Sequence, residues 1–264
     1  MIDKVIDDLN VKLNENINRD SIVYYNDGHT KSLVFGINKY IIKIFRRKSL
    51  ENQLIFYKEY KDFKYFPKII TYNKELNYIC FNYLGNLKYV DSNIDYNEVI
   101  KQIKDIVDNY HPYKSHFYGY LDYKKISWYN FLKYEINHAN KSLNGEISLN
   151  KVLESLKIIR KYKIEKYLLH GDLGTHNFIV KNNLIYPIDA VPIIGDKLYD
   201  FYFAILSNQK ILVNTDIDEI LNYYDGNLEY KKALFTIVLF IIMGRCNIYN
   251  KDNLNIYIKL YEQI

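Results

Sequence analysis

The chain has 264 residues, 48% of them hydrophobic and 25% charged, a balance ordinary for a folded protein and wrong for disorder, collagen or coiled coil. Its net charge of +5, from 36 basic and 31 acidic side chains, is too small and too dispersed for a nucleic-acid binder. Cys80 and Cys246 lie far apart in apolar surroundings, which excludes a thiolate metal site and fits buried thiols in a reducing compartment.

In chain order, residues 1–16 carry Ile2, Val5, Ile6, Leu9 and Leu13 at helical spacing. They lack the basic stretch and apolar run of a secretory signal. The period then changes to β. Runs at 21–25, 32–37 and 39–45, separated by turn residues at 26–28 and 37–39, predict a three-strand meander. Residues 49–63 return to helical spacing, with Ser49 as the expected N-cap and Pro67 as the stop. Two further strands are expected at 69–72 and 76–83. The short basic run Arg46, Arg47 and Lys48 reads as a solvated turn.

After Gly85 the pattern is mostly helical: 96–110, 128–143, 149–162, and then 201–207, 216–224, 229–244 and 252–263. Short strands around a loop are expected between 167 and 189. The longest apolar run, Ala233 to Met243, has 11 residues, whereas a membrane span needs about 20. It reads as a core helix, and the expectation is a cytoplasmic protein with no membrane partner. The domain boundary is placed at Leu84-Gly85-Asn86, giving domains 1–84 and 85–264.

The chemistry concentrates in His170-Gly171-Asp172-Leu173-Gly174-Thr175-His176-Asn177, followed by Ile188-Asp189. One apolar strand delivers the chain to this polar loop and another leaves it. A hairpin then returns Asp189 to the same end of the structure, so that Asp172, Asn177 and Asp189 can converge. One carboxylate can accept a proton from a hydroxyl. An amide oxygen and a second carboxylate suit Mg²⁺, a hard cation that takes oxygen ligands and keeps substrate phosphates in its shell. These are the parts of phosphoryl transfer, where positioning and charge neutralisation supply most of the catalysis.

These residues resemble a known family. His170-x-Asp172-x-x-x-x-Asn177 followed by Asp189 resembles the catalytic and metal-binding loops of the protein-kinase-like superfamily. With Leu173, Gly195-Asp196 and Tyr199-Asp200-Phe201 the pattern is similar to the aminoglycoside phosphotransferase and choline kinase group. The resemblance implies an α+β, bilobal fold with a small β-rich N-terminal lobe and a larger, mostly helical C-terminal lobe. It implies Mg²⁺ and ATP, with GTP left open as donor. Asp172 would be the catalytic base, and Asn177 and Asp189 the metal ligands. His170 and Asp200 would support the loop. Lys43 would grip the nucleotide phosphates, oriented by a glutamate of the next helix, Glu51 in preference to Glu59. Phe81 would back the adenine, with backbone groups of Asn82 and Leu84 bonding the base, and residues 26–32 would cover the phosphates.

Gly171 stands where many protein kinases carry the Arg that receives a phosphorylated activation loop. Only six residues separate Asp189 from Asp196, too few for a peptide-docking segment. Both departures point to a small polar acceptor with a hydroxyl: an aminoglycoside, choline or another amino-alcohol, or a sugar. A catalytically silent nucleotide-binding protein and a peptide kinase are the other classes. Trp128, Phe131 and Leu132 read as core before pocket wall. Asp216, Asp218 and Glu219 read as a solvated helix start.

Overall fold

The structure, a computed structural model, describes residues 1–25, 32–45, 49–85, 87–89, 92–249 and 251–264. Residues 26–31 of the expected phosphate-covering loop, Arg46, Arg47, Lys48 and Asn86 lie outside the described residues. The chain divides into two compact units: Met1–Ser92 with Phe178–Asp189, and Asn93–Asn177 with Ala190–Ile264.

The first unit opens with helix α1 (Ile2–Leu13), strands β1 (Val23–Tyr25), β2 (Leu33–Ile37) and β3 (Tyr40–Ile44), helix α2 (Leu50–Glu59), and strands β4 (Ile69–Asn73) and β5 (Tyr78–Asn82). The strands form one antiparallel sheet in the order β1-β2-β3-β5-β4. Val5, Ile6 and Leu9 of α1 bury against Phe35, Ile37, Tyr40, Ile42, Ile44, Tyr78 and Cys80. Side chains alternate across a strand. Tyr40, Ile42 and Ile44 therefore share the face toward α1, and Lys43 falls on the opposite face. α2 starts where expected, but the Ser49 side chain makes no cap bond. The helix also stops at Tyr60, well short of Pro67.

Strands β9 (Phe178–Lys181) and β10 (Leu184–Pro187) complete this unit as a hairpin. Asn182 and Asn183 turn it with φ of 51° and 58°, the two positive values of a type I′ turn. Val180 N–H donates to Leu87 O at 2.7 Å, and Lys88 bridges Ile179. This pairing puts the hairpin with the N-terminal strands, whereas the sequence boundary at 84/85 assigns it to the second domain. A non-local bridge of this kind leaves no mark in local periodicity.

The second unit contains α3 (Tyr96–Asp108), β6 (Tyr118–Tyr120), β7 (Lys124–Lys125), α4 (Trp128–Ser142), α5 (Asn150–Ile159), β8 (Tyr167–Leu169), β11 (Ile193–Gly195), α6 (Lys197–Leu206), α7 (Gln209–Asn214), α8 (Ile217–Asn222), α9 (Leu228–Tyr249) and α10 (Leu254–Gln263). Its small sheet runs β7-β6-β11-β8. α9 is longer than the apolar run suggested. At 22 residues it meets the length and composition of a membrane span, yet 72% of its most apolar window is buried within the protein, against α4, α5 and α6. Trp128, Phe131 and Leu132 are core residues, all under 5% exposed. The acidic cluster is a helix start: Asp216 caps α8 by accepting from Asp218 N–H at 2.8 Å.

Candidate active site

In the first unit, Lys43 is 7% exposed in β3, and its ammonium is ion-paired to Oδ1 of Asp189. Nε2 of Gln53 donates to the same oxygen at 3.0 Å. Asp189 follows β10 with a φ of 62°, a left-handed conformation that non-glycine residues adopt at a cost of about 1 kcal/mol or more. Among the described residues its second oxygen, Oδ2, makes no hydrogen bond.

Glu51 does not join this group. It is exposed and pairs with Lys74 at 3.1 Å. Residues two apart on a helix lie roughly 200° apart around it, so Glu51 and Gln53 occupy opposite faces. Glu59 is exposed as well. Gln53 sits in the apolar stripe formed by Leu50, Leu54 and Tyr57. That polar interruption was the available signal for it, and a search for glutamates passes over it.

Phe81 is buried in β5, with its ring edge-on to Tyr57 at 5.0 Å. The backbone N–H of Asn82 donates to Lys68 O at 3.1 Å, and its side chain accepts from Lys68 N–H at 2.6 Å. That N–H is occupied by β-edge pairing, and the expected base contact concerns the remaining backbone groups of Asn82 and Leu84. The backbone of Leu84 makes no hydrogen bond among the described residues.

In the second unit, β8 delivers the loop 170–177. Asp200, in the first turn of α6 and fully buried, holds it. Asp200 accepts from His170 N–H at 2.7 Å, Gly171 N–H at 3.1 Å and Tyr110 O–H at 2.8 Å. Burial, working against these bonds, pushes its carboxyl up to about 7. His170 is itself 0% exposed, and its carbonyl accepts from Val191 N–H at 2.8 Å.

Gly171 has a φ of +75°, and a Cβ there would lie 2.0 Å from Val191 O. Gly171→Ala is therefore expected to destabilise by at least about 3 kcal/mol, seen as a drop in Tm of roughly 6–10 °C. An unchanged Tm would mean that the loop does not press on residue 191 as described.

Asp172 is the polar centre of this loop. Oδ1 accepts from Arg245 Nη1 at 2.5 Å. Oδ2 accepts from Asn177 Nδ2 at 3.1 Å, with His176 Nε2 3.8 Å away. Burial alone would raise its proton affinity. The nearby His176 imidazole and the charges of Arg245 and His170 outweigh that and hold the carboxyl well below the usual range. Asn177 closes the turn Thr175–Asn177 and also bonds Asp172 O at 3.0 Å. With its amide nitrogen committed to Asp172, its amide oxygen has no bond among the described residues.

Arg245 carried no sequence expectation. It is the one cation ending a long apolar stretch of α9, and its guanidinium lies 4.5 Å over the Phe203 ring. Gly244 beside it lets α9 approach α4, since a Cβ there would fall 2.6 Å from Ala139 Cα. Behind Arg245, Glu135 is 7% exposed and accepts from Tyr120 O–H at 3.0 Å. Asp196 serves as a helix cap, accepting from Leu198 N–H at 2.9 Å and from Tyr230 O–H at 2.6 Å.

A meander with a buried lysine, a helix, two more strands, and an aspartate–asparagine loop over a helical unit together define the kinase-like α+β fold. Solved structures agree. A thermostable mutant of aminoglycoside phosphotransferase APH(4)-Ia, in ternary complex with AMP-PNP and hygromycin B, matches with a TM-score of 0.68 at 13% identity, over 98% of this chain and 97% of that one. Choline kinase LicA from Streptococcus pneumoniae matches with a TM-score of 0.61 at 16% identity, over 99% and 96% of the two chains. Neither a protein-family model nor a curated protein matches the sequence. The resemblance read from 170–201 thus holds at the level of the fold.

Proposed function

We propose that the protein is a phosphotransferase that moves the terminal phosphoryl group of ATP to a hydroxyl of a small polar molecule. The observation that carries this reading is the buried Lys43 ion-paired with Asp189, in the fold shared by an aminoglycoside phosphotransferase and a choline kinase. A buried lysine needs an anionic partner, and nucleotide phosphates are a stronger one than a single carboxylate.

Lys43 holds the phosphates, and Gln53 steadies Asp189. Phe81 supports the adenine side, and the backbone of Leu84 offers the donor and acceptor that a base edge needs. Asp172 orients the acceptor hydroxyl and takes its proton as the oxygen bonds the γ-phosphorus and the bond to ADP breaks. Asp200 and His170 keep Asp172 in place.

Each unit carries a donor of the kind Mg²⁺ takes: Asp189 of the first keeps Oδ2, and Asn177 of the second keeps its amide oxygen, both hard oxygen ligands. No group of three or more His, Cys, Asp or Glu that could hold a metal ion is present among the described residues. When bound, Mg²⁺ would neutralise charge developing on the β- and γ-phosphates.

The test is a thermal-shift titration with ATP, with and without Mg²⁺, followed by a phosphorylation screen over aminoglycosides, choline, ethanolamine and sugars. Stabilisation by Mg–ATP together with phosphate transfer to one of these classes supports the reading. Binding without transfer would leave a nucleotide-binding protein, and no binding would remove the reading. Salt dependence then sorts the acceptors. A polycation should lose affinity steeply as salt rises, because ion pairs are screened over about 8 Å at physiological ionic strength. A neutral sugar should not.

A further inference from the structure

Arg245 stands outside the roles assigned above, yet it makes the shortest contact to the proposed base. Two bonds fix the Asp172 carboxylate: Arg245 Nη1 on Oδ1 at 2.5 Å and Asn177 Nδ2 on Oδ2 at 3.1 Å. A carboxylate offers about four lone-pair sites. With one site of Oδ1 taken by a cation and one site of Oδ2 by an amide, one site remains on each oxygen, and both have a set direction; the one on Oδ2 lies on the oxygen that Arg245 does not bond.

The guanidinium is itself held in place. It stacks 4.5 Å over Phe203 of α6, a contact that a planar cation makes and an ammonium does not reproduce. The titratable groups that face it come from several elements: the carboxylate of Asp172 in the loop, Glu135 of α4, and the neutral phenols Tyr120 of β6 and Tyr199 of α6. The loop histidines His170 and His176 and the buried Asp200 complete the charged surroundings of Asp172. Thr175 N–H donates to Ser207 Oγ at 3.0 Å, so the loop and the ring under Arg245 are tied to the same helix.

We propose that Arg245 is the positioning residue for Asp172, fixing which carboxylate oxygen faces the acceptor hydroxyl. It acts through Asp172 and not on the nucleotide. This assignment rests on the phosphotransferase reading, and the experiment separates the two.

Arg245→Met, Arg245→Lys, Asp172→Asn and the double variant Asp172→Asn/Arg245→Met are compared in Mg–ATP hydrolysis, with water as acceptor, and in thermal unfolding. Arg245→Met should lower kcat roughly 10- to 100-fold, the scale of a misaimed reacting group, with KM for Mg–ATP within about 3-fold. Arg245→Lys should recover part of that loss. In the Asp172→Asn background, Arg245→Met should cost no further turnover, because the group it acts through is already gone. Its Tm loss, roughly 3–8 °C in the wild type where it leaves a partly buried carboxylate without its cation, should shrink in that background.

A wild type that neither hydrolyses Mg–ATP nor transfers phosphate to any acceptor class of the screen above removes the phosphotransferase reading and this role with it; where transfer occurs without hydrolysis, the same four variants are compared on that acceptor. An active wild type matched by Arg245→Met removes this role alone, as does an equal kcat loss in both backgrounds. Should Arg245→Met fail to fold, Arg245→Lys carries the comparison. A Lys variant with unchanged kcat and a raised KM for Mg–ATP would also overturn the assignment.

Discussion

Asp172→Asn is expected to lower phosphoryl-transfer turnover by roughly 10²–10⁴, the range of general-base assistance, while Mg–ATP affinity stays within a few-fold. The separation follows from where the groups lie. The residues assigned to the nucleotide, Lys43, Gln53 and Asp189, belong to the first compact unit, and Asp172 belongs to the second. Asparagine keeps an oxygen for Arg245 but turns an NH₂ toward the Nδ2 of Asn177, which now donates to Oδ2 of Asp172. Two donors face each other and the proton acceptor is gone. Steady-state kinetics beside a nucleotide titration give both numbers from one preparation. Near-wild-type turnover would take Asp172 out of the mechanism.

Asp189→Ala is expected to weaken Mg–ATP binding about 10- to 100-fold, or roughly 1.4–2.8 kcal/mol. It removes an oxygen available to the metal and the anionic partner of Lys43. Its effect on the fold should be moderate, because the Asp189 side chain is 31% exposed and water reaches the vacated side. Lys43→Ala should raise the KM for ATP by a similar factor, with or without a loss in kcat. The two variants differ in metal dependence. Asp189→Ala should bind ATP without Mg²⁺ nearly as the wild type does, whereas Lys43→Ala should lose affinity in either condition. Calorimetric titrations with and without Mg²⁺ test this. If both variants bind Mg–ATP like the wild type, the nucleotide site has been placed on the wrong residues.

Much of this could be read from residue order. The meander at 21–45, the helix after it, the strands near 69–83 and the long helices of the second half all carry clear periods of 2 or 3.6. The run from His170 to Asp200 marks the polar loop by composition, and Lys43 between Ile42 and Ile44 marks a lysine inside a β-strand. Helix and strand periods are local, and burial of one face is what creates them.

Other features were decided by contacts distant in sequence. Strands β6, β7 and β11 have three, two and three residues, too short for alternation to register. They exist because β11 pairs with both β6 and β8. The hairpin 178–187 belongs with the N-terminal strands through Leu87 and Lys88, which no boundary drawn along the chain can show. The choice of Gln53 over Glu51 depends on which face of α2 turns toward Asp189, and the engagement of the Asn82 N–H depends on the pairing of Lys68 with it.

Arg245 is the sharpest case. Its place in the sequence marks only the end of an apolar helix, 73 positions from Asp172. Sequence alone marked the order of helices and strands and the run of polar residues from His170 to Asp200 on which the resemblance rests, because period and composition are local properties. That Arg245 faces Asp172, and that Gln53 faces Asp189, was decided by the tertiary structure, because a partly buried polar group is placed by whichever partner the packing brings within reach.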